Sequence, residues 1–322
     1  MTTWQPDLIL DGFETLELPL PLAVPAPGEP EDDASALVGT LVRRQGGPRH
    51  ERALLYIHGW SDYFFHAHLA DFADSIGFDL YAVDLRRYGR SLREGQLAGF
   101  ITDLDEYSQE LDAALDVIRE DYERVSVMAH STGGLVAALW ADQRRGEIDA
   151  LILNSPWLDL QGSPMLRAVT APVLQRMRGN YPTTVIPLPN NGLYNRAINA
   201  EHDGEWVVDE ALKGGPNFAI RVGWLAAILA GHDRVAAGLS IDAPVLTLIS
   251  ARSDFRRKWD ESLMSSDTVL DVDKLAVRAV RLGPHVTVVR IDGGMHDLAL
   301  SAAPARTRYF GEIARWVHGY LD

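Results

Sequence analysis

The chain has 322 residues, 47% of them hydrophobic and none of them cysteine. That allows one large core with an inserted segment, and it excludes a disulfide framework, a thiolate nucleophile and cysteine-ligated zinc. With 45 acidic against 30 basic side chains the net charge is −15, a field that repels nucleic acid and anionic membrane surfaces and favours neutral or cationic ligands.

In chain order, the N-terminal residues lack the basic start and apolar stretch of a secretion signal, and no apolar run approaches about 18 residues. A cytoplasmic protein without stable membrane insertion is expected. Residues 12–20 and 36–43 alternate or cluster apolar side chains as strands do, separated by a Pro/Gly-rich acidic loop at 21–33. After a turn at Gly46-Gly47-Pro48, the wholly apolar run 53–57 predicts a strand buried on both faces of a parallel sheet, ending in His58-Gly59-Trp60. A helix-like stretch at 66–76 and a strand at 80–83 follow. Leu104, Tyr107, Leu111, Ala114, Leu115 and Ile118 then fall at helical spacing over 103–121. Further strands are expected at 125–129, 150–153, 245–249 and 286–291. The alternation predicts a doubly wound α/β sheet with its reactive groups at the carboxyl ends of the strands.

One interval breaks this rhythm. Residues 159–239 carry helix-like segments at 165–177 and 218–229 and a Pro/Asn/Gly-rich loop at 181–192, with no convincing buried strand. The interval is too long for a simple crossover. It is expected to form a helical cap, dividing the chain into a core of 1–158 and 240–322 and a cap of 159–239. Leu188, Leu193 and Tyr194 are expected to line an entrance beside the loop at 183–192.

Residues 125–134, Val-Ser-Val-Met-Ala-His-Ser-Thr-Gly-Gly, carry the clearest chemical signal. An apolar run stops at Ser131, small residues flank it, and a helix-forming run at 135–142 follows at once. A strand that turns so sharply into a helix lifts its central side chain out of the sheet, and only small neighbours tolerate the strained backbone. In the pattern G-x-S-x-G, Ala129 replaces the first glycine and Gly133 keeps the second. Ser131 is thus a candidate nucleophile, with the positive end of a helix dipole beside it; the plainer alternative is that it only caps the helix.

A serine hydroxyl needs a general base, and the base needs an acceptor to fix its tautomer. With this kind of turn the partners follow in the order acid, then His. His296 lies in the loop after the strand at 286–291, behind Asp292-Gly293-Gly294-Met295, where a base must sit. His232 in the expected cap and His285 at a strand's amino end are both expected to face solvent. The acid is Asp254 or Asp267, which spacing leaves open. His58 is expected to pack beneath its turn and orient it, and the pair His66 and His68, two apart on a helix, does not share a face for a metal. No phosphate-cradling glycine loop or dinucleotide fingerprint is present, so no cofactor is implied.

Five segments, Ile57-His58-Gly59-Trp60, Asp84 to Ser91, Ala129 to Gly134, Asn154-Ser155-Pro156 and Gly293 to Asp297, resemble the monoacylglycerol lipase and lysophospholipase branch of the α/β-hydrolase superfamily, which includes serine aminopeptidase-like proteins. The likeness covers roughly residues 35–160 and 240–320. It implies the α/β-hydrolase fold, a mostly parallel doubly wound sheet of about eight strands with an inserted helical cap. In such enzymes the acid usually comes nine residues after the proline that opens its strand; from Pro244 that position is Ser253. The family's small-x-Asp pattern recurs instead at Ser266-Asp267 through Leu270-Asp271, which favours Asp267 and makes 251–265 an insertion.

By the same resemblance, Ser131, Asp267 and His296 are the catalytic residues, and the Trp60 and Thr132 N–H groups bind the oxyanion. The implied activity is a serine hydrolase acting on small-molecule or lipid-like carboxylic esters, resembling monoacylglycerols or lysophospholipids, without cofactor or metal. An aminopeptidase or amidase would use the same triad, with Glu201, Asp203 or Glu205 available to receive a substrate amine. A ligand-binding protein on this fold is the non-catalytic alternative. Dehalogenase and epoxide hydrolase chemistry would need a carboxylate where Ser131 stands.

Overall fold

The computed structural model describes residues 3–32, 34, 36–160, 174, 176–187, 192–213 and 217–322. Its strands are β1 (Gln5–Pro6), β2 (Phe13–Pro19), β3 (Val38–Arg44), β4 (Arg52–Ile57), β5 (Asp79–Asp84), β6 (Arg124–His130), β7 (Ala150–Asn154), β8 (Val245–Ser250) and β9 (Val286–Ile291). They form a sheet in the order β1-β2-β3-β5-β4-β6-β7-β8-β9. The pairings β1–β2, β2–β3 and β3–β5 are antiparallel, and every pairing from β5 through β4 to β9 is parallel. The expected strands correspond to β2–β9. The additional β1 is two exposed residues with no apolar run to announce it.

Continuous apolarity in the central strands has a direct cause. In β4, Ala53, Leu55 and Ile57 pack into one core, while Leu54 and Tyr56 pack into another on the opposite face. A strand covered on both sides cannot alternate apolar and polar residues. Helices α1 (Ala67–Ser75), α2 (Ser108–Arg119), α3 (Ser131–Gln143), α4 (Leu193–Ile198), α5 (Val222–Ala237), α6 (Val272–Ala279) and α7 (Ala303–Tyr320) complete the described helical elements that bear on the site. Buried residues of α2, α3, α5 and α6 join the first core, and those of α1 and α7 the second. The helical stretch read at 103–121 begins as a short 3-10 turn. There the Asp105 N–H donates to Asp103 Oδ1 and the Asp103 N–H donates to Glu106 Oε1, so both groups of this cap are satisfied before α2 starts.

Between β7 and β8 no strand of the sheet arises among the described residues. The helix expected at 218–229 is α5, which starts at Val222, after the extended Arg221, and runs on to Ala237 because Gly231, His232 and Val235 are buried with its apolar face. The helix expected at 165–177 lies outside the described residues apart from 174, 176 and 177, and Leu188 lies wholly outside them. Among the described residues no helix is long and apolar enough to cross a membrane.

Candidate active site

The centre of the site is the turn from β6 into α3. Ser131 has φ +50°, a left-handed conformation that costs a residue with a side chain of order 1–3 kcal/mol. What holds it there is close packing of the backbone around it. A Cβ on Gly133 would collide with the His58 carbonyl oxygen, and one on Gly134 would stand 2.7 Å from Pro156 Cβ. Even Gly59, across the gap, leaves only 3.2 Å between its own absent Cβ and that of Ser131. Gly133→Ala is therefore expected to lower stability by about 1–3 kcal/mol or more, because the clash is with rigid backbone, and thermal unfolding of the purified variant measures it.

His296 arrives from the carboxyl end of β9. The chain reverses at Gly293, with φ +73°, and the loop is pinned by the Met295 N–H donating to Ser301 Oγ at 2.8 Å and by Ser250 Oγ donating to the Gly294 carbonyl at 2.7 Å. His296 Nε2 lies 3.0 Å from Ser131 Oγ, and its Nδ1 lies 3.0 Å from Asp267 Oδ2. Asp267 is fully buried, and its other oxygen accepts from the Val269 and Leu270 N–H groups at 2.8 and 2.7 Å. A carboxylate oxygen only accepts, so Nδ1 carries the proton and Nε2 is left as an acceptor for the serine hydroxyl.

The two candidate acids are separated by the path of the chain after β8. The chain leaves at Asp254 and returns at Asp267, where Asp267 N–H donates to the Arg252 carbonyl and Asp254 N–H to the Asp267 carbonyl. Asp267 thereby lies beside Ser253, the position nine residues after Pro244. Asp254 points elsewhere: Arg256 takes its carboxylate at 2.8 Å, and this hydrogen-bonded partner holds its pKa below the usual range.

The remaining histidines fall into distinct places. His58 is buried, its Nδ1 donating to the Gly59 carbonyl and its Nε2 accepting from the Leu85 N–H, which clamps the turn above it. His66 donates to Asp297 and His68 to the Ala299 carbonyl, so each holds a different atom of the segment just after His296. His285 is exposed as expected. His232 is not: it is fully buried in α5 with Nε2 2.8 Å from the Trp157 carbonyl, because the apolar face of α5 turns it inward.

Composition and spacing did not point to a polar group beneath the site. Asp297 is buried and accepts from Asn154 Nδ2 at 2.7 Å, the Ala299 N–H at 2.9 Å and His66 Nε2 at 3.2 Å. Burial pushes its carboxyl up, but His130 beside it and the His66 and Asn154 hydrogen bonds outweigh that and hold it well below the ordinary carboxylate range. His130 itself donates from Nδ1 to the Asn154 carbonyl, and burial lowers its pKa to about 4. The group ties the ends of β6 and β7 to the His296 loop.

Ser131, Trp60, Thr132 and His296 all border one cavity of about 680 Å³. The Thr132 N–H belongs to the first turn of α3, whose N–H groups have no acceptor four residues back within the helix. Trp157, Phe218 and Trp224 form an aromatic wall, with the Trp60 and Trp224 ring centres 3.8 Å apart. Tyr194 also borders the cavity, its ring edge-on to His296 at 5.4 Å, whereas Leu193 is buried away from it. Glu201, Asp203 and Glu205 are not among the lining residues; Asp203 pairs with Arg196 and Glu205 with Arg306.

A family model described as serine aminopeptidase, S33, matches residues 48–300. The phospholipase YtpA of Bacillus subtilis is 36% identical over 110 residues, 34% of this chain, and the match spans only 41% of that relative's length. Among solved structures, the monoacylglycerol lipase of Paleococcus ferrophilus superposes with a TM-score of 0.61 at 17% identity, over 83% of this chain and 94% of that one. A soluble variant of the Saccharomyces cerevisiae monoglyceride lipase, in complex with a substrate analogue, gives 0.61 at 14% identity over 94% and 98%. At these identities the structural likeness is one of fold.

Proposed function

The chain belongs to the serine aminopeptidase, S33, family of lipase- and esterase-type α/β-hydrolases, and from that premise we propose that it is a serine hydrolase of lipid-like carboxylic esters. Ser131 is the nucleophile, His296 the general base, Asp267 its orienting acid, and the Trp60 and Thr132 N–H groups the oxyanion donors. The observation that carries this reading is the hydrogen-bonded line from Asp267 through His296 to Ser131, 3.0 Å at each step, ending at the floor of the cavity.

His296 Nε2 takes the Oγ proton as Oγ attacks the ester carbonyl. The Trp60 and Thr132 amides bind the oxyanion, and His296 returns the proton to the departing alcohol. Water then attacks the carbonyl of the acyl group on Ser131, giving its proton to His296, and His296 passes that proton to Ser131 Oγ as the acyl–oxygen bond breaks and the carboxylic acid leaves. Each oxyanion donor is worth about 10²–10³ in rate. The described residues of the interval 159–239 supply Phe218, Trp224 and Tyr194 to the cavity wall, as a cap would.

A singly acylated, uncharged or zwitterionic ester suits this cavity, whose wall is largely aromatic and aliphatic. The monoacylglycerol lipase and phospholipase relatives point the same way. Recognition of a peptide's amino terminus would need an unpaired acid at the cavity. The acid that lines it among the described residues, Asp62, is engaged by Lys213 at 2.7 Å.

The test is a fluorophosphonate probe followed by p-nitrophenyl esters of increasing chain length, a monoacylglycerol, a lysophospholipid and an aminoacyl p-nitroanilide. Labelling with turnover of the esters and little of the anilide is expected. Labelling without hydrolysis of any ester, or preferential cleavage of the anilide, would defeat the ester reading.

A further inference from the structure

The turn that presents the Trp60 N–H is held by a segment other than those that carry Ser131, Asp267 and His296. Ser61 has φ +53°, so the turn is strained directly after Trp60. Ser61 Oγ donates to the Lys213 carbonyl and accepts from the Phe218 N–H at 3.0 Å. Lys213 Nζ donates to Asp62 Oδ1 at 2.7 Å, and the Asp209 N–H donates to Tyr63 Oη at 3.0 Å. Asp62 and Lys213 are 5% and 8% exposed, so the ion pair is nearly dry and neither charge has water to replace its partner. Burial raises the Asp62 carboxyl, but Lys213 outweighs it and brings the pKa to about 2. The Trp60 ring is fixed by the same region, edge-on to Phe218 at 5.7 Å and tilted on Trp224 at 3.8 Å.

We propose that Lys213 is a positioning residue for the oxyanion turn: through Asp62 and Ser61 it sets the direction of the Trp60 N–H, so Lys213 and Phe218 must be seated on the turn for the site to be competent. The inference rests on the ester-hydrolase reading given above. It assigns the buried lysine a structural hold on an oxyanion donor rather than a contact with substrate, although Lys213 borders the cavity. Acyl transfer is sensitive to this hold because an amide tilted away from the developing charge loses much of its effect.

The experiment compares the full chain with Lys213→Met, Lys213→Arg and Ser61→Ala. The readouts are the second-order rate of fluorophosphonate labelling, kcat and KM on one p-nitrophenyl ester, and the thermal midpoint. Lys213→Met is expected to lower both kcat and the labelling rate by about 10²-fold, with KM changed by no more than about threefold. Lys213→Arg keeps a cation for Asp62 and should recover most of the rate. Ser61→Ala removes two of the hydrogen bonds without stranding a charge, so it folds even if Lys213→Met does not, and it should lower kcat by about tenfold. Unchanged kcat in Ser61→Ala and Lys213→Met, or a raised KM at unchanged kcat, overturns the proposal. Wild-type chain that takes no label overturns the ester-hydrolase reading and this one with it. Equal labelling of wild type and Lys213→Met overturns this one alone.

Discussion

Ser131→Ala is expected to lose fluorophosphonate labelling and to lower kcat on esters by about 10⁵–10⁶-fold while leaving the protein folded. The size of the loss follows from what remains. Without Oγ there is no group at 3.0 Å from His296 Nε2 to be deprotonated, and a water admitted to the site would have to attack unaided by covalent catalysis. The oxyanion donors would survive, which is why a residual rate above the uncatalysed reaction is expected rather than none. Stability should change little. Alanine occupies the same φ of +50° with the same Cβ, and the Ser131 hydroxyl makes one described hydrogen bond, to a ring that borders the cavity. Circular dichroism and the thermal midpoint of the variant should therefore match wild type. A labelled Ser131→Ala protein would remove Ser131 from the nucleophile's role.

The second large effect separates the two carboxylates. Asp267→Asn should lower kcat by about 10⁴-fold, since an amide cannot offer the same acceptor to Nδ1. Two backbone donors, the Val269 and Leu270 N–H groups, would hold the amide oxygen where Oδ1 now stands, so the NH₂ would face His296. The ring would then carry its proton on Nε2, pointing at the hydroxyl it must deprotonate. Asp254→Asn removes a partly exposed contact with Arg256 and should leave turnover within about twofold and stability within about 1 kcal/mol. Steady-state kinetics on one chromogenic ester measure both. A greater loss in Asp254→Asn than in Asp267→Asn would reverse the assignment of the acid.

What was legible in the sequence rests on short-range sterics. Strands β4 and β7 could be read because a strand covered on both faces is apolar nearly throughout, as Ala53–Ile57 and Ala150–Leu153 are; over 125–129 and 245–249, β6 and β8 keep the same signal around one small buried hydroxyl each, Ser126 and Thr247. Ser131 could be singled out because a side chain held at positive φ needs small neighbours, and Ala129, Gly133 and Gly134 are within three residues of it. His296 was legible for a similar reason, as it follows a strand end and a pair of glycines.

Other features depended on which distant segments meet. Spacing left Asp254 and Asp267 both open and only the family's motif favoured Asp267; the return of the chain beside Ser253 is what puts that carboxylate against the imidazole. His232 resembles a surface residue in a polar stretch of helix until α5 is packed against Trp157. Asp62 and Lys213 are 151 positions apart, and nothing in either neighbourhood marks them as partners. Backbone strain and apolar periodicity are written in adjacent residues, whereas charge pairing in a dry interior acts through space and leaves no local pattern. The sequence by itself determined the apolar strands and the strained turn at Ser131, and its family likeness favoured Asp267; the tertiary structure decided that this acid faces His296, and it alone decided what holds the turn at Trp60.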